Sequence, residues 1–225
     1  MITITHSLNA PREPECDCPL CPRLAEFRHE WRKREPEWFN APVPGFGPYS
    51  ARLLVVGLAP GLRGANRTGR PFTGDYAGDL LYSTLLEFGF AHGLYAARPD
   101  DGLILDDVRI VNAVRCVPPQ NKPTSQEIRT CRPFLLNELA AMPSLRAIVT
   151  LGKIAHDTTL ATFGLPASRL KFGHAVCGDI PREGAPLRVF ASYHCSRYNT
   201  NTGRLTTAMF HDVFTAVREY LDDTP

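Results

Sequence analysis

Four short apolar runs, RLLVVGLA (52–59), VRIVNAV (108–114), RAIVTLG (146–152) and LRVFASYH (187–194), each lead through a polar loop into a stretch of helical periodicity. The runs are rich in Val, Ile and Leu and do not alternate with polar residues, as expected of strands buried on both faces of a parallel sheet. In YAGDLLYSTLLEFGFA, Leu80, Leu81, Leu85 and Phe88 recur at helical spacing. TSQEIRTCRPFLLNELAAM offers Thr124 or Ser125 as a cap with Glu127 as its capping-box partner. A helix is expected from Lys153, and TTAMFHDVFTAVREYLDD reads as a closing amphipathic helix. This alternation predicts a three-layer α/β/α domain around a central, mostly parallel four-stranded sheet. At 225 residues the chain has enough length for one domain with a full core, so residues 1–225 read as a single unit. Ligands of such sheets bind at the carboxyl ends of the strands. Three motif-like loops leave those ends: GLAPG, NAVRC and SYHCSRYN.

Upstream, RLAEFRHEWRKREPEWF (23–39) spaces Leu24, Phe27 and Trp31 as a basic helix ending near Pro36. NAPVPGFGPYSA is a Pro/Gly loop. The formal net charge is only +2, so a nucleic-acid partner would require a local basic surface. Arg63, Arg67 and Arg70, with Lys122, Arg197 and Arg204, are the candidates for holding phosphates. No run approaches the length of a membrane span, and the first residues lack the pattern of a secretion signal, so a cytoplasmic protein is expected.

In a chain without a secretion signal, seven cysteines point towards metal or catalysis and away from disulfides. Cys18 and Cys21 form a C-x2-C pair, and Cys116 with Cys131 forms a looser one. Four thiolates suit zinc or an iron–sulfur cluster, with ordinary burial of Cys116 and Cys131 as the alternative for the second pair. Cys16 is an alternative ligand; Cys177 and Cys195 are read as non-ligands.

The loop GLAPGLRGANRTGRPFTGDYAGDLL (57–81) is glycine-rich yet lacks GK[ST], which counts against a nucleotide-binding enzyme. Its lone acid before the helix, Asp75, is either a site carboxylate or a cap for the helix opening at Tyr76. Phe72 is either core or a stacking surface. Asn112 is either a turn residue or a paired donor and acceptor. His194 ends its strand beside the other two motif loops.

Taken together, GLAPG, GANRTGRPFTGD, NAVRC and SYHCSRYNTNTGR resemble the uracil-DNA glycosylase superfamily, specifically the family 5 or type b enzymes of bacteria and archaea. The resemblance runs from CPLCPRL to the closing helix. Related families place a polar residue in the first loop to activate water, whereas Leu58 and Ala59 offer none, in agreement with type b. The resemblance implies excision of uracil, and of other deaminated bases such as hypoxanthine, from double- or single-stranded DNA. The reaction would hydrolyse the N-glycosidic bond and leave an abasic site. Asp75 would stabilise the sugar cation or orient water, and His194 would donate to uracil O2. Phe72 would stack on the flipped base, and Asn112 would match its N3–H and O4. Gly57, Ala59 and Gly61 would bring backbone close to base or phosphate. Ser196, Arg197, Tyr198 and Asn199 would enter the minor groove, although the family's H-P-S is H-C-S here. Type a and type b members carry a structural [4Fe-4S] cluster, whose ligands map onto Cys18, Cys21, Cys116 and Cys131, making residues 16–40 a cluster-binding and helical segment. A monomer acting at the nucleoid, without magnesium or nucleotide, is the resulting expectation. A non-catalytic, metal-stabilised module recognising damaged bases is the alternative.

Overall fold

The structure, a computed structural model, describes residues 13–182 and 186–223. The reading of the extreme N-terminus as lacking a secretion signal lies largely outside them. Helix α1 (Pro22–Arg34) precedes β1 (Leu53–Gly57), a four-residue turn α2 (Ala65–Thr68) and α3 (Tyr76–Glu87). A two-residue ribbon, β2 (Ala91–His92) and β3 (Ile104–Leu105), leads to β4 (Val108–Asn112). Then follow α4 (Ser125–Ala140), β5 (Ala147–Leu151), α5 (Lys153–Thr162), β6 (Cys177–Ile180), β7 (Leu187–Ser192), α6 (Arg197–Asn201) and α7 (Thr207–Asp222).

The main sheet has the order β4-β1-β5-β7-β6, with the first four strands parallel. Side-chain parity separates its two faces. Leu53 and Val55 pack with Leu81 and Leu85 of α3 and with Phe210, Phe214 and Val217 of α7. Leu54 and Val56 pack with Leu135 and Leu139 of α4 and Leu160 of α5. Because both faces are covered, β1, β4 and β5 are buried along their whole length, which is why their sequences read as unbroken apolar runs.

Five strands stand where four were expected. The extra one, β6, runs antiparallel along the edge of β7. Its sequence, CGDI, is short and largely exposed, with Gly178 and Asp179 both poor strand formers. Helix α1 stops at Arg34, two residues before Pro36, because proline disfavours helical backbone in the residue before it and Glu35 adopts φ −135°. Helix α4 begins with the expected capping box: Thr124 accepts from the Glu127 amide, and the Glu127 side chain accepts from Thr124.

The strand order places a switch point at the centre of the sheet. After β1 the chain turns to the α3 face, whereas after the adjacent β5 it turns to the α5 face. The loops leaving these two strands part, and a crevice opens above their carboxyl ends.

Candidate active site

Beyond Gly57 the chain stays at the mouth of the sheet until α3 starts at Tyr76. Asp75 caps that helix, its Oδ1 accepting from the Gly78 amide at 3.2 Å. The other oxygen, Oδ2, faces back across the loop. A Cβ on Gly61 would lie 2.9 Å from Oδ2, and one on Gly64 would collide with it. These glycines therefore make room for the protein's own carboxylate. A Cβ on Gly57 would sit 2.5 Å from both Asn112 Oδ1 and Phe72 Cζ, so Gly57 serves the other two side chains in the same way. Burial raises the Asp75 pKa above the ordinary carboxylate value; amide hydrogen bonds from Gly78 and Ala77 oppose the rise, and nearby Asp79 adds to it.

Phe72 is 6% exposed and holds a left-handed backbone, φ +51°. Its ring faces His194 at an interplanar angle of 28°, with 6.0 Å between centroids. Asn112 ends β4 opposite Gly57, buried at the foot of the cavity. His194 lies two residues past β7, and burial pushes its pKa down to about 4. Its imidazole is therefore neutral at ordinary pH, with Nδ1 buried and without a partner in the structure. Asp75, Phe72, Asn112 and His194 all line one cavity of about 1370 Å³ including its mouth, together with Leu58 to Gly61 and, at the rim, Ser196 and Arg197.

The segment 196–199 differs from the expected loop. Ser196 accepts from the Asn199 amide and caps α6, so these residues form a helical turn. Tyr198 projects from it, 72% exposed. Asn199 turns inward, and its side chain donates to the His194 carbonyl at 2.8 Å. Cys195, the departure from H-P-S, is fully buried, and its thiol donates to the Ala77 carbonyl at 3.4 Å. It thereby ties the His194 loop to the first turn of Asp75's helix.

Among the phosphate candidates, Arg63, Arg67, Lys122, Arg197 and Arg204 are exposed, but Arg70 is not. Its guanidinium donates to both Asp101 oxygens at 2.8 and 2.7 Å, and its Nε donates to Thr73 Oγ1 at 2.7 Å. An arginine so buried and so committed is not presented to DNA phosphates. Tyr76 and Asn121 are cavity residues to which the sequence reading gave no site role. Tyr76 stands at the rim with Arg197 over its ring at 5.4 Å. Asn121 adopts φ +55° in the turn that follows NAVRC. PPQNKP carried a signal for the latter, since Asn tolerates left-handed backbone between prolines.

Cys18, Cys21, Cys116 and Cys131 line a separate, apolar cleft with Leu24, Val114 and Phe134. Arg28, 1% exposed, donates to Cys116 Sγ at 3.5 Å and to the Cys18 carbonyl at 3.1 Å. The Arg115 amide donates to Cys131 Sγ at 3.3 Å. Among the described residues, no three potential ligands converge as a single-ion site. Cys16 is exposed and lies outside the cleft lining; Cys177 is also exposed.

The model of the uracil DNA glycosylase superfamily matches residues 44–218. The chain is 48% identical over 202 residues to a type-5 uracil-DNA glycosylase of Thermus thermophilus, covering 87% of this chain and 90% of that protein. It is 40% identical to a type-5 uracil-DNA glycosylase of Pyrobaculum aerophilum over 88% of this chain and 86% of the relative. To a type-4 uracil-DNA glycosylase of the same organism the identity is 31%, over 79% and 77% of the two chains.

Proposed function

The chain belongs to the uracil-DNA glycosylase superfamily, with type-5 relatives along most of its length, and from that premise we propose how its own residues excise uracil from DNA. The observation that carries the mechanism is the meeting of Asp75, Phe72, Asn112 and His194 in one cavity at the switch point. A nucleotide flipped from the duplex enters base first. Phe72 stacks on the base, and the Asn112 amide offers a donor and an acceptor to its O4 and N3–H edge. As the glycosidic bond breaks, negative charge grows on the base and positive charge on the sugar. Neutral His194 donates a hydrogen bond to O2 on the departing base. Asp75, ionised, faces the sugar with Oδ2 and stabilises its cation or aligns the attacking water. Leu58 and Ala59 leave no other protein group in the first loop for that water. Among the described residues no lysine lines the cavity, which supports a hydrolytic, monofunctional reaction.

A pocket that selects by stacking and one amide also admits hypoxanthine and other deaminated bases. Gly57, Ala59 and Gly61 bring main chain close to the nucleotide. Arg63, Arg67 and Arg197 hold phosphates around the mouth. Ser196 and Asn199 build the turn from which Arg197 and Tyr198 enter the minor groove and fill the space left by the flipped base. The protein acts on double- or single-stranded DNA as a monomer and one domain, at the nucleoid of a bacterial or archaeal cell. Among the described residues no helix is long and apolar enough to cross a membrane.

The cysteine cleft fits a polynuclear iron–sulfur group better than a lone zinc ion. Its four sulfurs line one apolar hollow, and two of them already accept N–H groups from Arg28 and Arg115, as the sulfurs of such a group do. Cys18, Cys21, Cys116 and Cys131 would hold a [4Fe-4S] cluster, which supplies a structural cross-link between α1 and the main sheet rather than redox chemistry.

Incubating the protein with a uracil-containing oligonucleotide and a chelator, followed by alkali, should cleave the strand at the uracil position. Intact strands would sink the reading. Asp75→Ala should lower the rate by about 10²–10⁴-fold while DNA binding persists; full activity would remove Asp75 from its role.

A further inference from the structure

Phe72 sits in a backbone conformation that an aromatic residue seldom adopts unaided, and its surroundings show what keeps it there. A non-glycine residue at φ +51° stores strain and persists only where neighbouring contacts over-determine it. The Tyr82 hydroxyl donates to the Pro71 carbonyl at 2.6 Å, and the Tyr95 hydroxyl donates to the Phe72 carbonyl at 3.4 Å. Thr68 Oγ1 donates to the Thr73 carbonyl at 3.1 Å. Gly78 of α3 leaves the space that the Phe72 carbonyl occupies; a Cβ there would overlap it.

These contacts converge on one buried ion pair. Arg70 holds Thr73 through Nε and Asp101 through both terminal nitrogens. Asp101 also accepts from the amides of Ala96 at 2.8 Å and Leu103 at 3.2 Å, so it gathers the segment joining β2 to β3 around itself. The rings of Phe46, Tyr82 and Tyr95 surround the guanidinium at 5.1 to 5.8 Å. None of Arg70, Asp101, Tyr82 and Tyr95 lines the cavity.

We propose that Arg70, Asp101, Tyr82 and Tyr95 are positioning residues that lock Phe72 face-on to the base pocket, so that the 93–103 segment sets how tightly the flipped base is held. The proposal rests on the reading of Phe72 as the stacking surface. The clamp acts through two features of that residue, its left-handed backbone and its ring plane against His194. Three residues on, the same turn delivers Asp75, so loosening it disturbs both stacking and the carboxylate.

The test uses the full-length protein and free uracil as a competitor, because free base senses the pocket without the phosphate contacts. Tyr95→Phe removes only the hydroxyl that holds the Phe72 carbonyl and keeps the ring beside Arg70. Asp101→Asn weakens the ion pair while preserving shape. For both, the inhibition constant for uracil should rise about threefold to tenfold, as loss of one or two hydrogen bonds implies. The turnover number should fall as well, while affinity for abasic-site DNA stays unchanged. Thermal melts run in parallel identify variants that merely fold less well: these lose active fraction, yet their surviving molecules bind uracil normally. A lowered melting temperature with an unchanged inhibition constant in both variants overturns the clamp. Phe72→Ala is the reference. If it binds free uracil as the wild type does, the stacking reading itself falls, and the clamp with it. If Phe72→Ala loses affinity and Tyr95→Phe does not, only the clamp falls.

Discussion

With one oxygen spent on capping α3 and the other turned into the cavity, Asp75 is ionised where burial opposes its charge. The folded-state pKa is raised, so between the ordinary carboxylate value and the raised one the native state binds more protons than the unfolded chain. Stability therefore falls as pH rises through that window and stays reduced above it. Asp75→Asn keeps an oxygen to accept from Gly78 and removes the buried charge. Its melting temperature should exceed that of the wild type by about 2–4 °C at pH 8 for each kcal/mol recovered, and the difference should shrink at pH 4. Equal differences at the two pH values would contradict the assignment. In the role proposed for it, the same residue governs the rate. Activity should rise with pH through the raised pKa of Asp75 and show no step near the ordinary histidine value, because His194 stays neutral down to about pH 4. A pH profile of kcat/KM checks this; an acid limb that stays in place when Asp75→Glu changes the carboxylate would transfer control to the histidine. Asp75 was legible in the sequence as a lone acid before a helix; its Oδ1 is the cap, and the cavity it lines leaves Oδ2 for the role proposed above. Arg70 was not legible: composition shows its charge, but its partner Asp101 lies thirty-one residues further along the chain.

At the scale of elements, the loop between β1 and α3 is shaped by side chains approaching glycine, and this gives a sharper test than any charge substitution. Gly64 is the residue before α2, and Gly64→Ala places a methyl group where the loop has none. That methyl meets Asp75 Oδ2 and would push the carboxylate aside. A displacement of about 1 Å can cost about 10²-fold in rate, and a loss of that order is expected in kcat/KM. If the effect runs through Asp75, adding Gly64→Ala to Asp75→Ala should cost nothing further. Additive losses in the double variant would place the damage elsewhere in the loop. The strands of this region were readable because both faces are buried, which leaves no alternation to confuse them. Strand β6 was not, since an exposed edge strand carrying Gly178 and Asp179 looks like a connection. Nor did sequence spacing show that Ser196 to Asn199 would wind into α6, because a five-residue helix capped by its own serine has no room for periodicity.

Across the whole molecule, the four candidate ligand cysteines join the segment before the main sheet to the elements after β4. Helix α1 buries little of itself: Leu24 and Arg28 are its only fully covered residues. Arg23 makes a two-pronged pair with Glu127 on α4, at 2.8 and 2.7 Å, although Arg23 itself is well exposed. With the proposed cluster in place, a helix so lightly packed would depend on the coordinate links at its start. Cys18 and Cys21 sit at its start, and Cys116 and Cys131 lie across the cleft on the NAVRC loop and α4. A cluster held by all four would fix α1 against the sheet and keep Arg28 beneath Cys116. Protein purified without oxygen should therefore be coloured and contain iron and sulfide. Cys131→Ala should lose both, and limited proteolysis should then cut within residues 13–34 sooner than within the strands. Because Cys131 and the base cavity occupy different clefts, free uracil should still compete for the pocket in whatever fraction of the variant keeps its sheet. Colourless wild-type protein carrying zinc would replace the cluster with a different metal. Unchanged proteolysis of α1 after iron loss would show instead that Leu24, Arg28 and the Glu127 pair hold the helix without it.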